Sequence, residues 1–365
     1  MTLPSRSQAL FSLLATALLL SGAHTATFSQ DTDHQGELLG VLLAVGDIAR
    51  CGNAARHKRD EDVAEVVKSA VAEAKGQGVP VRLILLGDLA YPHGATEDLK
   101  NCFDPSWGEL KDIMLPVPGN HEYDLKKDGK YDKVHGDPNA EPYFEYFREK
   151  PTDSLGNALV SAEGDRAGYF SLRFPDAAQG PWLLLALNPY TKADVSPGWK
   201  AWMKNELVAN DQLGPNKSSC ILAFTHPFRF SSGYHGHDRN KTSPDAKTVK
   251  GRSIKSTYSV LMDRRASVLL SGHDHHFEQF GRQDVDGNPT DDGIRAFVVG
   301  TGGGAPYLQN IDIKYNNRAA NQEHLIGDKF GVLRLDLYKD KYAWAFLPTE
   351  GEPIQPEIHE DSCNS

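Results

Sequence analysis

Two short apolar runs, GVLLAV at residues 40–45 and VRLILL at 81–86, each end in Gly-Asp and enclose a helical pattern. Over 60–75, Val63, Val66, Val67, Ala70, Val71 and Ala74 recur at i, i+3, i+4, i+7, i+8 and i+11, with acids in the first turn, which predicts an amphipathic helix. Runs that are apolar at nearly every position (Arg82 is the exception here), not at every second one, belong to strands buried on both faces. Strand, helix, strand in that order predicts parallel pairing within an α/β domain and excludes an all-helical chain. The pattern continues in IMLPV (113–117), WLLLALN (182–188), CILAFTH (220–226), SVLLSGH (267–273) and IRAFVVG (294–300), and GVLRLDLY and KYAWAFLP near the C-terminus read as an antiparallel hairpin. There is no internal repeat. Long loops rich in Gly, Pro and Asp, notably 124–139 and 231–251, separate the runs, and such loops in a compact domain are either functional or disordered.

The N-terminus reads as an export signal: Arg6 supplies the positive region, ALFSLLATALLL the apolar core, and SGA the small residues of a cleavage site. Twelve residues fall short of the roughly 20 that span a bilayer, and the C-terminus carries no lipid-anchor pattern. The expected layout is a signal peptide over 1–23, a linker over 24–37, one domain over 38–350 and a polar tail over 351–365. The protein is then exported to a periplasm or the extracellular space, with no stable membrane insertion. A net charge of -10 without any Lys/Arg-rich run argues against a phosphate-neutralising surface for nucleic acid. The four cysteines suit that compartment. Cys51 and Cys102 each follow a Gly-Asp turn and would meet if their loops are neighbours, Cys220 reads as a buried thiol beside its strand, and Cys363 in the tail is left open. Asn216-Lys217-Ser218 and Asn240-Lys241-Thr242 have the glycosylation acceptor pattern.

Polar residues stand directly beyond the apolar runs. GDIARC carries Asp47, GDLAY carries Asp88 and Tyr91, GNHEY carries Asn120 and His121, AFTH carries His226, and SGHDHH carries His273 and His275. Ligands of open α/β sheets bind beyond the carboxyl ends of the strands, so these residues would share one crevice although they span more than two hundred positions. Each alone reads as readily as a turn or a surface imidazole. Together they place oxygen and nitrogen donors at five strand ends, which points to metal ions.

The order GD, GDxxY, GNHE, strand-end His and GHxH resembles the calcineurin-like metallophosphoesterase superfamily. Most members begin Asp-x-His. This chain has Asp47-Ile48-Ala49 and instead carries Tyr91 three residues after Asp88, which resembles the purple acid phosphatase-like subgroup. YPHG, NCFDPSW, RFSSGYHG and FVVGTGG add to the likeness with its short secreted forms.

The resemblance implies a four-layer α/β/β/α sandwich with mixed sheets. It implies two metal ions, Fe(III) plus Zn, Fe(II) or Mn. Asp47, Tyr91 and His275 would hold one, Asn120, His226 and His273 the other, and Asp88 would bridge them. A phenolate with carboxylates suits Fe(III), and imidazoles with an amide oxygen suit a divalent ion. The implied activity is acid phosphatase-like hydrolysis of small-molecule phosphate monoesters by a metal-bound hydroxide, with His121 protonating the leaving group. The alternatives are a phosphodiesterase or nucleotide hydrolase on the same ions, and a non-enzymatic phosphate-binding or adhesion module. His235 and His93 would either reach substrate phosphate or lie on surface loops. Arg229 would pair with phosphate or with an acid. Glu122 and Asp274 are expected as partners of the histidines, with a solvated position as the alternative for Asp274, and His276 is expected to bond backbone.

Overall fold

The structure is a computed structural model that describes residues 36–51, 54–123, 139–148, 168–176, 180–190, 198–214, 220–233, 235–236, 254–305 and 318–364. The expected signal segment, most of both long loops and the two acceptor asparagines lie outside them. The first sheet has the order β15 (Glu360–Ser362), β14 (Lys341–Pro348), β13 (Gly331–Leu337), β1 (Gly40–Val45), β3 (Val81–Leu85), β5 (Met114–Pro116). The second runs β12 (Gln322–Ile326), β10 (Phe277–Phe280), β11 (Arg295–Val299), β9 (Val268–Ser271), β8 (Cys220–Thr225), β7 (Trp182–Ala186), β6 (Phe170–Phe174). A two-residue pair, β2 (Ala49–Arg50) with β4 (Ala90–Tyr91), lies at their mouth.

Both sheets are mixed. In the first, β1, β3 and β5 are parallel, and β13 joins β1 antiparallel. In the second, β7, β8, β9 and β11 are parallel, flanked by antiparallel β6 and β10.

The continuous apolar runs follow from burial on both faces. In β1, Leu42 and Ala44 enter the layer between the sheets, and Val41, Leu43 and Val45 meet Val63, Val67 and Val71 of helix α1 (Ala54–Gly76). In β8, Leu222 and Phe224 face the same interlayer, and Ile221 and Ala223 face Trp199, Met203 and Tyr258 on the helices Gly198–Gln212 and Lys255–Asp263. Helix, sheet, sheet, helix is therefore the layering, as the resemblance implies. Each fully buried side chain of Leu, Val or Phe size contributes on the order of 1.5–3 kcal/mol. Buried Arg334 on the α1 face of β13 is matched by Asp336 at 2.8 Å and by Glu73 of α1 at 3.1 Å. The helix starts earlier than the periodic stretch because residues 54–59, AARHKR, contain no helix breaker.

Cys51 is joined to Cys102, and Cys220 to Cys363. The second bridge corrects the reading of Cys220 as a thiol. Residues 360–362 form strand β15 on the edge of β14, and this carries Cys363 beneath Cys220. A polar tail gave no sign of that pairing, because its strand is held by Arg282 and Arg295 on Asp361 and not by apolar residues. Among the described residues no helix is long and apolar enough to cross a membrane.

Candidate metal centre

The parallel strands of both sheets end together. Gly46 N–H donates to Val299 O and Gly272 N–H to His226 O, which brings the turns after β1, β8, β9 and β11 against one another. Three residues at these ends, Asp47 (φ 59°), Asp88 (φ 52°) and His273 (φ 73°), adopt the left-handed backbone that non-glycine residues seldom take. That conformation turns each side chain inward at the end of its strand, and its cost is of the order of 1–3 kcal/mol per residue. The glycine beside the site has a different task. A Cβ on Gly119 would collide with Asp88 Oδ1, so only glycine lets the β5 turn approach this close.

The seven expected donors converge. Tyr91 Oη lies 2.8 Å from Asp47 Oδ1, 2.9 Å from His275 Nε2 and 3.2 Å from Asp88 Oδ2. His226 Nε2 lies 3.1 Å from Asn120 Oδ1, 3.1 Å from His273 Nδ1 and 3.5 Å from the same Asp88 Oδ2. Donor atoms of Asp88, His226 and His273 all fall within 4.8 Å of one another. The result is two groups of donors that share one carboxylate oxygen.

Backbone carbonyls set the tautomers. His226 Nδ1 donates to Leu86 O at 2.7 Å and His275 Nδ1 to Ala305 O at 2.6 Å, so in the neutral rings both Nε2 lone pairs face the cluster. His226 Nε2 beside Asn120 Oδ1, and His275 Nε2 at 3.3 Å from Asp47 Oδ1, are then acceptors set against acceptors. A positive charge relieves this crowding, either a proton or a cation shared among several donors. Burial disfavours the His226 imidazolium, but Asp88 and Asp47 outweigh it and lift His226 to about 9. Burial likewise opposes charge on Asp88, yet His226 and His121 hold it well below the carboxylate range. Burial, with His235 and His226 nearby, keeps His273 well below the usual histidine range, and among the described residues its buried Nε2 has no hydrogen-bond partner. Carboxylates, a phenol, imidazoles and an amide oxygen with lone pairs turned to one point fit two cations.

His121 stands at the edge of this cluster. Its backbone N–H donates to Asp88 Oδ1 at 2.9 Å and its Nδ1 to Pro92 O at 2.6 Å. The ring sits edge-on to Tyr91 at 4.6 Å, with Nε2 3.8 Å from Asp88 Oδ2. His235 is stacked on His273, the ring centroids 4.4 Å apart. His93 is half-buried beside Asp98. Arg229 donates through Nε and Nη2 to Val285 O.

Three expectations change. Among the described residues Glu122 bonds no imidazole: its carboxylate accepts the backbone N–H groups of Asp88, Leu89 and Gly119 and ties the β3 and β5 turns together. Burial and the neighbouring Asp88 push it up to about 7. Asp274 is fully buried, not solvated, and accepts from Ser231 and from the backbone of His235. His276 Nε2 pairs with Glu278 at 3.0 Å instead of backbone. Sequence spacing ties Asp274 to none of its partners, and Glu122 to only one of three, because the others sit on other turns. The one signal for Asp274 was its place inside His-x-His.

An α/β/β/α sandwich that gathers carboxylates, a phenol and imidazoles at its strand ends defines the metallophosphoesterase fold. The model of the calcineurin-like phosphoesterase family matches residues 40–277, and the chain belongs to that family, whose dimetal dependence accords with the cluster. Among curated protein sequences none matches the chain. Among solved structures it is similar to the purple acid phosphatase PPD1 from yellow lupin (Lupinus luteus) seeds, with 13% identity and TM-score 0.57 over 88% of this chain and 53% of that one. It therefore spans about half the length of the lupin protein. GAP50, described as the anchor in the inner membrane complex of Plasmodium, is 12% identical with TM-score 0.54 over 89% and 88% of the two chains. PhoD is 12% identical with TM-score 0.54 over 88% and 71%.

Proposed function

We propose that this chain is an exported dinuclear-metal phosphatase that hydrolyses small-molecule phosphate monoesters, of the purple acid phosphatase-like kind. Family membership implies a phosphoric ester hydrolase. The observation that carries the finer reading is Tyr91, whose hydroxyl lies within 3.2 Å of Asp47, Asp88 and His275. A phenolate among such donors suits Fe(III), with Zn, Fe(II) or Mn on the imidazole side. Asp47, Tyr91 and His275 would hold one ion and Asn120, His226 and His273 the other, with Asp88 common to both. Two bound cations supply Lewis-acid polarisation of the phosphoryl group and an activated water.

The chain's own residues do the rest. Glu122 and the left-handed turns fix Asp88 and Asn120 before substrate arrives. His121, fastened through Nδ1 to Pro92 O, keeps Nε2 toward the cluster, where it can hand its proton to the departing oxygen. His235, stacked on His273, would meet a phosphate oxygen, and His93, one residue beyond Pro92, is the weaker candidate for that part. Two disulfides accord with an exported protein.

The complete donor set argues against the anchor role that the likeness to GAP50 brings to mind. The deciding experiment combines metal content and the visible spectrum of the purified protein with nitrophenol release from mono- and bis-nitrophenyl phosphate. An iron–tyrosinate band that disappears in Tyr91→Phe, with the monoester preferred, is expected. Preference for the diester would instead make it a phosphodiesterase on the same ions. A colourless, iron-free protein with no hydrolysis would end the proposal.

A further inference from the structure

Asp274 separates two members of the donor cluster in sequence, yet its carboxylate bonds neither of their imidazoles. It faces the loop that leaves β8 after His226. Oδ2 accepts the Ser231 hydroxyl at 2.5 Å, and Oδ1 accepts the His235 backbone N–H at 2.9 Å. The Ser231 oxygen in turn accepts Gly233 N–H at 2.9 Å, and Gly236 N–H closes onto Gly233 O at 3.1 Å. Four residues further on, Glu278 Oε2 takes Ser232 N–H at 2.8 Å and His276 Nε2 at 3.0 Å. All three of Asp274, His276 and Glu278 are buried.

A charged carboxylate withdrawn from water is strongly unfavourable unless donors replace its hydration. Among the described residues both donors to Asp274 come from one loop, so the charge fixes that loop. The fit is tight, because a Cβ on Gly233 would strike the Asp274 carboxylate and the His276 ring. The last residue gripped is His235, whose ring then lies on His273 at 4.4 Å and 23°.

We infer that Asp274 is a positioning residue that clasps the chain at Ser231 and His235 and thereby holds the His235 imidazole over the metal-donor cluster. The inference rests on the phosphatase reading for what His235 meets there, a phosphate oxygen, but not for the clasp itself. The histidine pair of the GHDH motif and the substrate-facing loop thus form one rigid unit through the residue between the histidines. Backbone attachment at Oδ1 matters most, since it fixes the main chain of His235.

The test uses metal-loaded full-length protein and the variants Asp274→Ala, Gly233→Ala, His235→Ala and the Asp274→Ala/His235→Ala pair. Hydrogen exchange over 231–236 reads the clasp without reference to activity, and steady-state kinetics with nitrophenyl phosphate read its consequence. Asp274→Ala and Gly233→Ala are expected to unprotect the His235 amide. Each should also raise KM on the order of tenfold, the scale of losing a charge-assisted hydrogen bond. With His235 already alanine, adding Asp274→Ala should change KM no further. Gly233→Ala keeps every ligand and every carboxylate, so it tests the clasp even if Asp274→Ala folds poorly. An unchanged His235 amide in both variants, or independent effects in the double variant, would overturn the inference while monoester hydrolysis by the parent protein stood. A parent protein with a protected amide and no hydrolysis would overturn the phosphatase reading and leave the clasp supported.

Discussion

The His121 ring is fixed through Nδ1 to Pro92 O, so a proton it gives up leaves from Nε2, the nitrogen nearer Asp88. Replacing it by alanine removes a proton donor but no ligand of the proposed ions. For alkyl phosphates, whose leaving oxygen needs the proton, kcat should fall about 100-fold or more with metal content unchanged. Nitrophenyl phosphate, with its better leaving group, should lose far less, and equal losses on both esters would count against the assignment. Asp60 in α1 is a different kind of residue. It is fully buried, and burial outweighs the hydrogen bonds of Ser106 and of its own backbone N–H to push it up to about 7 from an ordinary 3.8. Between those values the folded protein keeps a proton that the unfolded chain has shed. Stability contributed by that proton is present in acid and is lost as pH rises through about 7. Asp60→Asn should therefore leave Tm nearly unchanged at pH 4 and raise it by a few degrees at pH 8. A gain of the same size at both pH values would mean that burial of the charge is not the cause.

At the scale of elements, β1, β3, β7 and β8 could be read directly because burial on both faces demands a nearly unbroken apolar run, interrupted in β3 by Arg82 alone, and each run stops where the chain turns into the site. β10 and β12 could not. FEQF and QEHLI carry polar residues that the fold pairs off: Gln279 meets Glu323 of the neighbouring strand and Trp344, and Glu278 Oε2 takes Ser232 N–H and His276. The same blindness hid β15, which is held by arginines and a disulfide. All seven expected donors were legible by contrast, since each directly follows or nearly follows a strand end. What sequence could not show was that Asp47, Asp88 and His273 themselves take the left-handed turn. The hidden element has a measurable weight. The Cys220–Cys363 bridge closes 143 residues, for which the chain-entropy account gives about 5 kcal/mol. Cys220→Ala/Cys363→Ala is expected to lower Tm by several degrees and to expose the 360–364 amides to exchange. An unchanged Tm would mean that Arg282 and Arg295 hold the strand without the bridge.

Across the whole molecule the site is a joint between two sheets. Asp47, Asp88, Tyr91 and Asn120 come from turns and strands of the first sheet's side, and His226, His273 and His275 from the second. Both proposed ion groups mix the two: Tyr91 and Asp47 meet His275, and Asn120 meets His226 and His273. A cation held by donors from both sides cannot stay bound if the sheets separate, so its binding free energy becomes free energy of folding for the entire sandwich. At a free-ion concentration 1,000 times the dissociation constant this amounts to about 4 kcal/mol per site. Loading should therefore raise the Tm of the whole domain in one cooperative transition, and a chelator should lower it. Calorimetry of wild type and Asp88→Asn with and without added ions separates this from surface binding. The variant loses the oxygen common to both groups and should lose most of the shift. A wild-type transition indifferent to the ions, or one equally shifted in Asp88→Asn, would show that the sheets are joined by their apolar interlayer alone.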